Sequence, residues 1–91
     1  MNCDDVMRHC REAARSRHPG CEVEGDIERA SADTIRPAWL VGCVASGWVA
    51  TINVHGKGRV IVRHEAWGAT KGWASGNLAR AMGVALPEVQ P

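Results

Sequence analysis

Five side chains that could ligate a metal ion lie within the first 21 residues: Cys3, His9, Cys10, His18 and Cys21. Thiolates and imidazoles hold structural zinc, usually in closely spaced C-x2-C and H-x3-H pairs. Here six residues separate Cys3 from Cys10 and seven separate Cys10 from His18, so neither spacing matches these zinc-binding pairs. We therefore expect no bound metal. A small zinc-stabilised domain held by Cys3, Cys10, His18 and Cys21 is the alternative.

The four cysteines are expected to be free thiols. The start of the chain carries Asp4 and Asp5 where a secretion signal has a basic segment followed by an apolar one. No apolar run approaches the ~20 residues that cross a membrane. These features favour the reducing cytoplasm, where disulfides are rare. A disulfide between Cys10 and Cys21 is the less favoured alternative.

Catalytic chemistry has few candidates. His64-Glu65 and His55 could transfer protons, and Cys21 could act as a nucleophile. However, the chain has no Gly-rich phosphate loop, no nucleophile elbow and no metalloprotease helix motif. We therefore expect a protein that is not an enzyme and uses no cofactor.

Charge is distributed unevenly, although the formal net charge is only +1. Residues 22–35 hold five acids and one Arg, a net of −4. Residues 36–83 hold six cations and one acid, a net of +5. Ordinary solvation of the surface explains such a pattern, and docking onto a charged partner is the alternative.

Trp67 and Trp73 flank a short Gly-rich stretch in a chain that has four Trp and neither Phe nor Tyr. Trp and Arg are the residues most enriched in binding hot spots. Alternatively, both indoles close the edge of a core that lacks other aromatic rings. We predict that the hairpin tip and the last helix form one contact surface for a macromolecule, most simply a protein. The predicted contact residues are His55, Lys57, Arg59, Arg63, Trp67, Lys71 and Trp73.

Nucleic acid is the alternative partner, because the same surface combines cations with aromatic rings. The order helix, meander, helix resembles the layout of double-stranded-RNA-binding domains, mainly over residues 38–83, with Thr70-Lys71 starting the last helix. That family has a run of basic residues at this helix start, where only Lys71 stands here. A net charge of +1 also supplies little counterion-release affinity.

Helices are predicted at both ends of the chain. Apolar residues recur with helical spacing over 3–17, with Asn2 as N-cap and Pro19-Gly20 as the stop. Thr70 can cap a second helix over 71–82. Two glycines inside it cost about 1 kcal/mol each, so we expect a loose first turn or a start nearer Ser75. An extended tail follows over 84–91.

Strands are predicted over 21–28, 38–45, 48–55 and 59–66. A Ser46-Gly47 turn would pair the second strand with the third, bringing Trp39 opposite Val54. A three-residue loop, Gly56-Lys57-Gly58, would then place Val54 opposite Val60 and Ala50 opposite His64. These registers leave one continuous apolar face.

Residues 1–91 are thus predicted to form one small α+β domain. Its expected architecture is a two-layer sandwich: a helix, an antiparallel meander of three to four strands, and a C-terminal helix. The expected function is a small non-enzymatic protein-binding module, an adaptor or an inhibitor, such as a mobile-element protein that blocks a host complex. A homodimer is also expected, because the 59–66 strand offers an open edge.

Overall fold

The computed structural model describes residues 2–31, 34–37, 39–40 and 46–86. Three antiparallel strands form one sheet in the order β1-β2-β3, and two helices pack on one of its faces. This is the predicted two-layer α+β arrangement. The elements are α1 (Cys3–Arg17), β1 (Glu22–Ser31), β2 (Ser46–Gly56), β3 (Arg59–Gly68) and α2 (Lys71–Met82).

Helix α1 has the predicted bounds, and its signals are local. The Asn2 side chain accepts a hydrogen bond of 2.9 Å from the Asp5 backbone N–H, which caps the helix. Asp4 and Asp5 lie in the first turn and basic residues lie in the last, as the helix dipole favours. The buried positions repeat at helical spacing: Val6, Met7, Cys10 and Ala14.

Helix α2 also has the predicted bounds, but its first turn is formed. The Thr70 hydroxyl oxygen accepts a hydrogen bond of 3.1 Å from the Trp73 backbone N–H. The buried Ser75 hydroxyl donates to the Gly72 carbonyl within the same turn. The expectation of a loose turn is therefore wrong, because the cap offsets the poor helix propensity of glycine. Gly83 ends the helix with a φ of 69°.

Strand β2 is central, and this overturns the predicted Ser46-Gly47 turn. Both residues lie inside β2, where Ser46 pairs with Ser31 and Gly47 with Ala30. Strand β1 occupies this edge of β2 along ten residue pairs, and β3 occupies the other edge. From Trp48 to His55, both edges of β2 are thus occupied.

The predicted 38–45 strand lies mostly outside the described residues, which omit 38 and 41–45. Trp39 and Leu40 are described, and they lie in a turn rather than a strand. Trp39 is therefore not opposite Val54, which pairs with Val23 and Val62. The first and last predicted strands are longer than expected, ending at Ser31 and Gly68. Of the predicted tail, residues 84–86 are described and 87–91 are not.

The hairpin between β2 and β3 has a two-residue turn, not the predicted three-residue loop. Lys57 and Gly58 have φ values of 54° and 79°, the left-handed conformation that tight hairpin turns require. The register shifts beside the turn, where His55 pairs with Val60 and Val54 with Val62, leaving Ile61 as a bulge.

Beyond this bulge the predicted register is wrong by two residues. Ala50 faces Ala66 rather than His64, and Ile52 faces His64. Since side chains alternate with a period of two, a two-residue slip leaves each residue on its predicted face. The predicted apolar face of β2 therefore still meets the helices.

The core lies between this face and the helices. Its fully buried side chains include Ile52, Val54, Cys10 and Leu78. A second, smaller cluster lies on the opposite face of the sheet, where Ala30, Ile35 and Leu40 pack with Trp67. We call this opposite face the outer face. Beyond that cluster it presents the exposed carboxylates of β1 and the polar residues of β2.

Gly68 allows α2 to begin directly against the end of β3. A Cβ atom at this position would lie 2.5 Å from the Ala74 backbone nitrogen and 2.8 Å from the Trp73 carbonyl carbon. Backbone atoms cannot move aside as a side chain can. The absent side chain therefore determines how closely the first turn of α2 approaches the sheet.

We expect Gly68→Ala to lower the free energy of unfolding by about 1–3 kcal/mol, because the added methyl group overpacks this contact. Gly76→Ala is the matched control, since a Cβ at Gly76 meets nothing within 4 Å. It should raise stability by about 0.5–1 kcal/mol through helix propensity. Urea denaturation of both variants measures the difference, and equal effects would contradict the close approach.

Candidate functional site

The tryptophans gather at one end of the domain. Trp48 lies near the start of β2 and Trp67 near the end of β3, and the antiparallel register pairs Trp67 with Val49. Trp73 lies in the first turn of α2, which follows β3 after two residues. Trp39 contacts Trp73 from the turn before β2. The fold thus brings together residues up to 34 positions apart.

Trp39 and Trp73 form an exposed aromatic pair. Their ring centroids lie 6.4 Å apart with planes tilted by 37°, a favourable aromatic geometry. Trp39 is 54% exposed and Trp73 is 56% exposed. We call these two residues the tryptophan pair. It places a large apolar surface in solvent on a chain whose other described tryptophans are partly buried.

Buried neighbours hold Trp39 in place. Leu40 is 2% exposed and packs with Ala30 and Ile35 on the outer face. A Cβ atom at Gly47 would lie only 3.0 Å from a Leu40 methyl group. Leu40 can therefore pack closely on β2 because Gly47 has no side chain. The Leu40 backbone N–H also donates to the Pro37 carbonyl. Trp39 therefore projects from a turn that is anchored on the sheet.

Cations surround the neighbouring Trp48. The Lys71 ammonium lies 4.9 Å from the centre of the Trp48 ring, and the Arg29 guanidinium carbon lies 5.9 Å from it. These distances permit cation–π attraction. Lys71 is exposed, so this end of the domain combines apolar rings with positive charge.

Trp67 belongs to a polar network on the outer face. Its indole N–H donates to Glu65 Oε2 at 3.1 Å. Arg63 donates to Glu65 Oε1 at 3.1 Å and to the Asn53 side-chain oxygen at 3.5 Å. Partial burial opposes ionisation of Glu65, but these hydrogen bonds and the Arg63 charge outweigh it and lower the pKa of Glu65.

The predicted contact residues do not form one surface. Lys57 and Arg59 lie at the hairpin, whereas Lys71 and Trp73 lie at the other end of β3. Ten residues of strand span roughly 30 Å. Arg63 lies midway along β3 and Trp67 near its last residue, and both side chains are on the outer face.

His55 lies on β2 beside the hairpin. Its Nε2 atom is 3.1 Å from Glu24 Oε1 on β1. His64 is half-buried and pairs with Ile52, on the sheet face that meets the helices. The described structure therefore separates the two histidines to opposite faces of β2 and β3.

Trp39 is the residue that the sequence interpretation missed. The sequence predicts Trp39 in the 38–45 strand, on an apolar face where an indole is buried. The sequence signal for a turn at this point is Pro37, two residues before Trp39, since proline favours turns and interrupts sheets.

The candidate metal ligands are not brought together. In the part of the chain that the structure describes, no group of three or more His, Cys, Asp or Glu could hold a metal ion. Cys3, Cys10 and Cys21 are free thiols. Burial raises the pKa of Cys10, which packs in the core. Cys43 lies outside the described residues.

Among the described helices, none is long and apolar enough to cross a membrane. Comparison with known proteins gives no relative: no family model, no curated protein and no solved structure matches the chain significantly. The candidate site therefore rests on geometry alone.

We expect the indole N–H resonance of Trp67 to report the ionisation of Glu65. Because the folded pKa of Glu65 is lowered, its stabilising contribution is present above the unfolded pKa and is lost as pH falls through the folded pKa. In an NMR titration the Trp67 signal should shift with a midpoint below that of an exposed glutamate. Glu65→Gln should abolish this transition, whereas Glu12→Gln on α1 should preserve it. A midpoint above the ordinary value would contradict the network.

Proposed function

We propose that this domain is a small non-enzymatic protein-binding module, an adaptor or an inhibitor, and that the tryptophan pair anchors its partner. The observation that carries the proposal is the ring contact between two tryptophans that are each more than half exposed. Leaving such apolar surface in water is unfavourable for an isolated domain. A partner that covers both rings removes that cost.

The scaffold holds both anchors in place before binding. Trp73 lies in a capped helical turn that packs against Gly68, and Trp39 follows Pro37 and precedes the buried Leu40. An ordered aromatic side chain loses little conformational entropy on binding. Such residues are typical of hot spots, where a few side chains supply most of the binding energy.

Charge at this end indicates the chemistry of the partner. Lys71 and Arg36 are both exposed and both lie close in sequence to the tryptophan pair. We therefore propose a protein that offers an apolar pocket flanked by carboxylates. Complementary charge of this kind increases association rate and specificity more than affinity.

The proposal changes the surface that the sequence predicted. Trp73 and Lys71 stay in it, and Trp39 joins them. Lys57 and Arg59 lie roughly 30 Å away along β3, so they would meet a different part of a large partner or none. The cytoplasm remains the predicted setting.

Nucleic-acid binding is the second candidate. Supporting it, the described chain has the complete order helix, three-stranded meander, helix, the order on which the resemblance to double-stranded-RNA-binding domains rests. Lys71 lies at the start of α2, with Trp48 beneath it. The low net charge favours the protein partner instead.

A pull-down from a lysate of the native host tests the proposal, with half of the lysate treated with nuclease. We expect a stoichiometric protein partner that survives nuclease. Trp73→Ala and Trp39→Ala should each weaken binding to that purified partner by about 2 kcal/mol, which is roughly 30-fold. Calorimetry measures the affinities.

Val60→Ala is the matched control, because Val60 is 47% exposed at the hairpin. It should change affinity by less than about 0.5 kcal/mol. Full affinity in both tryptophan variants, each folded by circular dichroism, would remove the tryptophan pair as the anchor. Binding that disappears with nuclease would favour nucleic acid and overturn the protein-binding proposal.

A further inference from the structure

Strand β3 has one partnered edge and one that no described residue pairs with. Its register with β2 accounts for one side, and the sheet contains three strands in the described chain. The backbone groups of an unpaired edge are a template for another strand. This edge offers a docking site independent of the tryptophan pair.

The sequence of this edge is complementary to itself. Arg63 and Glu65 lie on either side of His64 and share the outer face, where their side chains form an ion pair of 3.1 Å. If two copies of β3 run antiparallel about His64, Arg63 of each copy faces Glu65 of the other. On the opposite face, Val62 meets Ala66. Opposite charges and apolar pairs at facing positions both stabilise a sheet.

We propose that two copies of this chain pair through their β3 edges, in antiparallel register about His64, and join their sheets into one of six strands. The interface is isologous, so each Arg63–Glu65 contact occurs twice.

The charges select this register. If the two-fold axis passed through Arg63 instead of His64, two guanidinium groups would lie opposite each other. If it passed through Glu65, two carboxylates would lie opposite each other. Like charges at facing positions destabilise a sheet. A shift of one β3 strand by one residue along the other would place the apolar face of one copy beside the outer face of the other.

The ion pair within each copy does not prevent the contact between copies. A guanidinium has five N–H donors and a carboxylate has about four acceptor sites. Arg63 is 55% exposed and Glu65 is 35% exposed at the side chain. Both groups can therefore keep their present partner and also bind the facing residue.

The edge of β1 does not suit the same pairing. Four carboxylates alternate along it: Glu22, Glu24, Asp26 and Glu28. All four are exposed, and Asp26 raises the pKa of Glu28 through a hydrogen bond and its charge. Two antiparallel copies of β1 would bring eight carboxylates together. The acidic edge thus disfavours self-association there.

The segment of β3 that can pair with a second copy is short. Ile61 forms a bulge at one end. At the other end, the Asn77 side chain donates a hydrogen bond of 2.8 Å to the Trp67 carbonyl. Five residues, 62–66, remain for pairing. We therefore expect a dimer that dissociates on dilution, as small interfaces do.

Charge exchange tests the proposal, with sedimentation velocity of the full chain over a concentration series. The wild type should shift from monomer to dimer as concentration rises. At the concentration where the wild type is half dimeric, the variants Arg63→Glu and Glu65→Arg should each be monomeric. In a dimer of either variant, residues 63 and 65 of the two copies would form two facing pairs of like charge. An equimolar mixture of the two variants should dimerise again, since every facing pair is then of opposite charge.

The exchange in one chain, Arg63→Glu with Glu65→Arg, should also dimerise, which separates lost pairing from misfolding. Arg15→Glu on α1 makes the same charge change far from this edge and should dimerise like the wild type. A wild type that stays monomeric up to its solubility limit would overturn the proposal. So would single variants that dimerise normally, or a mixture that does not recover.

Discussion

Strand β2 is hydrogen-bonded along both edges, and the rest of the domain is arranged around this constraint. Unpaired backbone groups inside a sheet are costly, and β1 and β3 together flank β2 on both sides from Trp48 to His55. Of residues 38–45 before β2, Trp39 and Leu40 are described, and they lie in a turn rather than in the sheet. Ile35 and Leu40 are buried on the outer face, whereas Trp39 is exposed and contacts Trp73 of α2.

The same arrangement gives the two sheet faces different roles. One face is apolar and is covered by α1 and α2, whereas the outer face carries ionised groups such as Glu65. The proposed surfaces lie on different parts of this scaffold: the tryptophan pair at one end and the β3 edge along one side. A dimer would thus present two tryptophan pairs and could bind a repetitive or two-fold partner with avidity.

Local signals could be interpreted from the sequence alone. Asn2, Thr70 and Gly83 cap the helices, and each acts within a few residues of its own position. The alternation in β1 and β2 identified the residues that face the core. These features determined both helices, most of the strands and the α+β class. They also indicated Trp73 as a contact residue, because a Trp at a glycine-rich helix start is conspicuous in this composition.

Strand pairing was decided only by the tertiary structure. Alternation identifies the face of a strand but not its neighbour, so 38–45 and 22–31 were both acceptable partners for β2. A two-residue slip preserves every face beyond the bulge, and the apolar pattern of residues 62–66 therefore could not detect the bulge at Ile61. The meeting of Trp39 with Trp73 depends on that pairing and on the Leu40 anchor. The sequence by itself determined the helices and the faces of the strands, whereas contacts between distant segments decided which tryptophans meet in solvent.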